Sequence, residues 1–170
     1  MAAALAACSS DDSPSADPTP STTTTSAPAT TSTTATTIDA QAAAVSAYRA
    51  FWAAYLAAAD PMNPDHPGLA EHATGEQLKS VRSAFLAFRS AGHVIRETFD
   101  LAPEVVSFDG TAAQIRDCYD DATGVFEAAT GARQDVDDPR RHQVTAHVVN
   151  VEGSWKVAAI NHGGDGCQVG

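Results

Sequence analysis

Asp109-Gly110-Thr111-Ala112-Ala113-Gln114-Ile115-Arg116-Asp117-Cys118-Tyr119-Asp120-Asp121 is the stretch on which the fold turns. Asp-Gly reads as a tight hairpin turn, because both residues tolerate positive φ. Upstream, Glu104 to Phe108 has the composition of a strand, and Thr111 to Cys118 returns antiparallel to it. Side chains alternate along a strand, so Ala113, Ile115 and Asp117 share one face, while Gln114, Arg116 and Cys118 share the other. A carboxylate among apolar neighbours and a cysteine one position later make this strand the centre of interest.

Ahead of this hairpin the apolar period is helical. Asp39 is placed to cap a helix from about Ala40 to Ala59, with Val45, Tyr48, Trp52, Tyr55, Leu56 and Ala59 on one face. Asp60-Pro61 ends it, and the three prolines within Pro61 to Pro67 require a loop. Leu69 to Thr74 can make one helical turn. Gly75 to Ser90 reads as a further helix with Leu78, Val81, Phe85 and Phe88 as its stripe, stopped by Gly92. Val94 to Phe99 then reads as a strand, broken before Pro103. After the hairpin, residues 119–139 form a polar excursion with a weak strand at Val125-Phe126. Arg140 to Val151 is a strand, Glu152-Gly153 a turn, and Trp155 to Ile160 a returning strand. Helices followed by an antiparallel meander predict an α+β fold with the helices on one face of the sheet.

The chain has 170 residues and a formal charge of −11, with only two lysines, Lys79 and Lys156. That balance repels phosphate backbones and argues against nucleic acid as a partner. No run of about 18 apolar residues occurs, so no transmembrane helix is expected within the sequence. The three cysteines, Cys8, Cys118 and Cys167, are not equivalent. One stands apart near the N-terminus, which suggests one bridge and one cysteine with another task.

Leu5-Ala6-Ala7-Cys8-Ser9-Ser10 resembles the lipobox of bacterial lipoproteins, in which the cysteine is lipidated. Only seven residues precede it, too few for a signal peptide, so the expectation is that residues 1–8 are the remnant of a longer signal. Residues 9–37 are dominated by Ser, Thr, Pro and Ala with no aromatic and no basic residue. They lack the apolar surface to offset their ordering entropy and are expected to form a disordered tether. The folded domain is placed at 38–170. Two or three acyl chains would hold Cys8 stably at the outer face of a bacterial cell membrane.

The order of landmarks resembles the nuclear transport factor 2-like (SnoaL-like) superfamily, and within it a group of secreted bacterial lipoproteins. The residues carrying the resemblance are Tyr48, Trp52 and Tyr55, Asp60-Pro61 with the proline-rich loop, and Ala73-Thr74-Gly75. With them go Asp117-Cys118-Tyr119-Asp120, Thr130-Gly131 and Gly153-Ser154-Trp155-Lys156-Val157. The resemblance covers about residues 40–167 and implies a curved sheet wrapped into a cone around the first helix. The superfamily includes isomerases, dehydratases and partner-binding modules, so fold alone assigns no activity.

Each chemical candidate has a plainer counterpart. Cys118 and Cys167 are expected to pair, since an exported domain meets an oxidising environment. A reactive or metal-binding thiol is the other reading. Asp117, on the face of Ile115, is a general-base candidate if burial raises its pKa. Against this, Asp117, Asp120 and Asp121 can be solvated strand-end charges pairing with Arg116 or Arg133, and no histidine can be placed beside them. Tyr48, Trp52, Tyr55, Phe85, Phe88 and Trp155 can line an apolar pocket, or simply be core. Asp135-Val136-Asp137-Asp138 lacks the glycine and terminal glutamate of a calcium loop and reads as a solvated acidic loop. His142 and His147 point to opposite faces of their strand, so no metal site and no cofactor is expected. These residues predict a non-enzymatic module binding a small apolar ligand or an envelope protein. The alternative is an isomerase- or dehydratase-like enzyme using Asp117, and a homodimer through the open sheet is a third arrangement.

Overall fold

The computed structural model describes residues 31–96, 98–135, 140–163 and Cys167. Cys8 with its lipobox, most of the expected tether, and Asp137 and Asp138 lie outside the described residues. Three helices precede the sheets: α1 Thr31–Ala59, α2 Pro67–His72 and α3 Gly75–Ser90. The strands are β1 His93–Arg96, β2 Phe99–Asp100, β3 Pro103–Phe108, β4 Ala112–Asp121, β5 Gly124–Glu127, β6 Arg140–Val151 and β7 Ser154–His162.

Helix α1 starts well before the expected cap at Asp39, which lies inside it and is exposed. Residues 31–37, assigned from sequence to the tether, are therefore its first turns. Extending an existing helix costs a threonine only about 0.7 kcal/mol or less relative to alanine, so a run of them need not end it. The buried face of α1 is also rotated from the expected stripe. Ala44, Tyr48, Phe51, Trp52, Ala58 and Ala59 are buried, while Val45 and Tyr55 are only partly so. Helix α3 buries Val81 and Phe85 as the periodicity predicts, and Gly92 follows it at φ 74°.

The main sheet is antiparallel, ordered β2-β4-β6-β7, with β3 also paired to β4. The expected strand Val94 to Phe99 is two strands. β1 leaves the main sheet to pair with β5, while β2 pairs with the far end of β4. β4 runs three residues beyond the expected Cys118 and carries Tyr119, Asp120 and Asp121 into the ladder with β6. Register shifts between Val105 and Ser107 and between His147 and Val148 bend the sheet. Its concave face, formed by Ala113, Ile115, Asp117 and Tyr119 with Val144, Ala146, Val148 and Val157, packs on α1 and α3. The helices thus fill the curve of an α+β sandwich, as the sequence predicts.

The β3–β4 turn is shifted from the expected Asp109-Gly110 pair. Backbone N–H of Asp109 donates to the Ala112 carbonyl, so Gly110 and Thr111 are the central residues, with Gly110 at φ 97°. Asp109 instead uses its side chain. Oδ1 accepts from Thr111 N–H, Thr111 Oγ1 and Ala112 N–H at 2.7–2.9 Å. These bonds hold its carboxyl below the usual carboxylate range. In the β6–β7 turn, Glu152 takes φ 52° and Gly153 φ 87°. The exposed Glu152 has the backbone that asparagine tolerates best. Glu152→Asn should raise the unfolding free energy by about 1 kcal/mol or less in urea titration. A lower midpoint for the variant would contradict this account of the turn.

Candidate functional site

Two polar features are set on the concave side of the sheet, one sealed and one open. The sealed feature is Asp117. Its place on β4 between Ile115 and Tyr119 points it inward, and it is 0 % exposed. Oδ1 accepts the backbone N–H of Ala102 at 2.8 Å, a bond supplied by the loop between β2 and β3. Oδ2 has no hydrogen-bond partner, nor do two other buried atoms, the Tyr48 hydroxyl and Trp52 Nε1. The Tyr48 hydroxyl lies within the influence of both the Asp117 carboxylate and the Trp52 indole, yet none of these approaches closes into a hydrogen bond.

Burial pushes the Asp117 carboxyl up, against the opposing effects of the Ala102 N–H, the Tyr48 hydroxyl and the Arg49 charge. Tyr48 is pushed up as well, first by burial and then by repulsion from Asp117. The solvated reading of Asp117 is therefore corrected. The expected cation partners are also engaged elsewhere. Arg116 pairs with Glu104 at 2.7 Å, Arg133 with Asp135 at 2.8 Å, and Asp120 with Arg141 at 3.1 Å. Extension of β4 beyond its expected end brought Asp120 opposite Arg141.

The open feature is a cavity of about 350 Å³ between α1, α3 and the end of the main sheet. Phe51, Trp52 and Tyr55 of α1, Phe99 of β2 and Tyr119 of β4 supply its aromatic lining. Gln77, Ser80, Val81 and Ala84 of α3 face them, with Asp121, Thr123, Ile160 and His162 on the remaining side. The rings pack on one another, Trp52 to Phe99 at 4.5 Å and Trp52 to Tyr119 at 5.6 Å between centroids. Burial, and then the nearby Asp121 charge, push the Tyr55 phenol up to about 12.

Of the expected pocket residues, Trp52 and Tyr55 line this cavity. Phe85 is fully buried behind it against Tyr55, at 4.9 Å. Tyr48 is fully buried and faces Asp117 rather than the cavity. Phe88 is only partly buried, and it borders a separate hollow with Ala87, Ala91 and His93. Trp155 does not join them. It packs on Phe108 at 5.8 Å and borders a different hollow with His72 and Ala43. Asp117 does not line the cavity either. Phe51, Phe99, Tyr119, Asp121 and His162 were not singled out from sequence as pocket residues. Strand parity was the available signal for two of them, since Tyr119 and Asp121 continue the inward face of Asp117.

Cys118 and Cys167 are joined in a disulfide with Cα atoms 5.7 Å apart. It lies on the opposite face of β4 from Asp117 and ties the segment after β7 to the strand carrying Tyr119 and Asp121.

No family model and no curated protein matches this chain. Among solved structures, the intermembrane space region of the chloroplast protein ARC6 aligns over 73% of this chain and 95% of its own, with 20% identity and a TM-score of 0.55. The likeness is one of fold. An NTF2-like protein of unknown function from Prochlorococcus marinus aligns over 75% of this chain and 94% of its own, with 13% identity and a TM-score of 0.47. A protein described as an aromatic ring hydroxylase of Novosphingobium aromaticivorans aligns over 74% and 94%, with 14% identity and a TM-score of 0.47.

Proposed function

We propose that this chain is an extracytoplasmic, lipid-anchored lipoprotein whose α+β domain is a non-enzymatic binding module for a small apolar ligand. The observation carrying the binding role is the cavity of about 350 Å³, which has a wall of packed aromatic rings and a rim of polar side chains. That volume and lining suit a compact organic molecule. Export is supported by the Cys118–Cys167 bridge, a feature of oxidising compartments. The ARC6 region of the same fold is by its name an intermembrane-space domain. Anchoring rests on the lipobox at Cys8, with residues 9–30 as the tether to the helix that begins at Thr31.

The enzyme alternative, with Asp117 as general base, has less support. A base must reach the proton it removes, directly or through one water. Asp117 is fully buried and sits outside the open cavity, and burial favours its protonated form.

A neutral fluorophore, N-phenyl-1-naphthylamine, tests the binding role. Saturable 1:1 enhancement with quenching of tryptophan emission is expected from the full chain. Ala84→Trp, which places a large ring at the exposed rim of the cavity, should abolish it while the circular dichroism spectrum is kept. Absence of saturable uptake by the unmodified chain would overturn the reading.

A further inference from the structure

The cavity has a pronounced electrostatic sign. Asp121 is the one formally charged carboxylate of its lining, and no lysine or arginine is among the described lining residues. The other ionisable side chains there are the phenols of Tyr55 and Tyr119 and the imidazole of His162. Asp121 is also held rigidly. Its Oδ1 accepts Thr123 N–H at 2.8 Å and Thr123 Oγ1 at 2.6 Å, so the turn after β4 fixes the carboxylate plane. Oδ2 has His142 Nε2 at 3.8 Å, beyond hydrogen-bond reach, which leaves that oxygen with lone pairs to offer.

Next to this carboxylate stands a surface of π-electrons. Trp52, Tyr55, Phe99 and Tyr119 form a contiguous cluster with centroids 4.5–6.1 Å apart. Aromatic faces attract cations through the ring quadrupole, most strongly where water is thinned out. The phenols register the same negative field. After burial, the Asp121 charge is the next cause raising both Tyr55 and Tyr119. An anionic ligand would meet Asp121 with no lysine or arginine among the described lining residues to receive it, and a purely apolar one would leave Oδ2 facing its body. A ligand with an apolar body and one positive charge satisfies both surfaces.

We propose that the molecule taken up by this cavity is a small organic cation, with its aromatic or alkyl body on the Trp52–Tyr119 wall and its ammonium group toward Asp121. This rests on the cavity being a ligand site, as argued above, and the test separates the two claims.

Three probes of similar size and shape differ chiefly in charge: 2-phenylethylammonium, 2-phenylethanol and phenylacetate. Titrated calorimetrically into the full chain at moderate salt, the ammonium is expected to bind about ten-fold more tightly than the alcohol, the scale of one partly shielded ionic and cation–π contact. Phenylacetate should bind most weakly. Asp121→Asn should cut the ammonium-to-alcohol ratio several-fold, leaving about the two-fold preference of the aromatic wall, a change in a ratio of affinities and not of stability. Ala84→Trp should remove ammonium binding, which separates the cavity from loose attraction to a chain of charge −11. Equal affinity for all three probes would overturn the cation preference and leave the apolar site intact. Ammonium binding that survives Ala84→Trp, or a ratio unmoved by Asp121→Asn, would likewise overturn it. Failure of all three probes together with the neutral fluorophore would overturn both the site and its occupant.

Discussion

Replacing both Cys118 and Cys167 by serine should lower the unfolding free energy of the domain by about 4 kcal/mol, measured by urea titration against the oxidised parent. The magnitude follows from the 49-residue separation between them, because a cross-link of that span removes a large share of the unfolded chain's conformations. In a domain of this size the same change lowers the melting temperature by roughly 10–20 °C. The bridge also has a local consequence. Cys118 stands beside Tyr119 on β4, and Cys167 follows the strand that brings Ile160 and His162 to the cavity. Loss of the staple frees one cavity wall relative to the other, so uptake of the neutral fluorophore should weaken even at temperatures where the variant is folded. Reduction of the parent with a dithiol should reproduce both effects. Identical urea midpoints for oxidised and reduced protein would remove the bridge from any role in stability.

How far the sequence disclosed this arrangement depends on the range of the contacts involved. Alternation along β4 placed Ala113, Ile115 and Asp117 on one face correctly, because strand parity is a local property and the buried residues obey it. The α3 stripe was equally legible, since Val81 and Phe85 stand out from polar neighbours. Helix α1 was less so. It is largely alanine around its aromatics, and a face of alanine is neither demanded by nor excluded from the core. The choice of Phe51 over Val45 and Leu56 was made by the sheet packed against it. The same limit misplaced Trp155. It was grouped with Trp52 on aromatic character, but it sits at the opposite end of β7 from His162, about 20 Å away along an extended strand. The cavity was hidden for a related reason. Phe99, Asp121 and His162 meet only because β2, β4 and β7 belong to one sheet whose far end closes over α1 and α3.

Asp117→Asn should leave the domain's stability nearly unchanged in acid and make it more stable than the parent near neutrality. The folded-state pKa of Asp117 is raised above its ordinary value of 3.8, chiefly by burial. A group shifted this way binds its proton more tightly in the folded chain, so its stabilising contribution is complete below 3.8. That contribution is lost as pH rises from there through the folded-state pKa, at up to about 1.4 kcal/mol per pH unit. Asparagine has the same shape and no charge. Its carbonyl can accept the Ala102 N–H in place of Oδ1, and its amide can donate toward the Tyr48 hydroxyl. The parent-minus-variant difference cancels the other titrating groups and isolates this one. Unfolding curves that run parallel from pH 4 to 8, or a parent that gains on the variant as pH rises, would show that Asp117 is comfortably ionised in the core. The outcome bears on function as well. A proton kept on Oδ2 lets the carboxyl donate to the Tyr48 hydroxyl, which relieves two of the three unpartnered buried atoms at once. A carboxyl protonated and engaged in that way would hold α1 to β4 and would not be the ionised base that removal of a substrate proton requires. The open cavity, with Asp121 and its aromatic wall, is then the site left for the small-molecule binding proposed above.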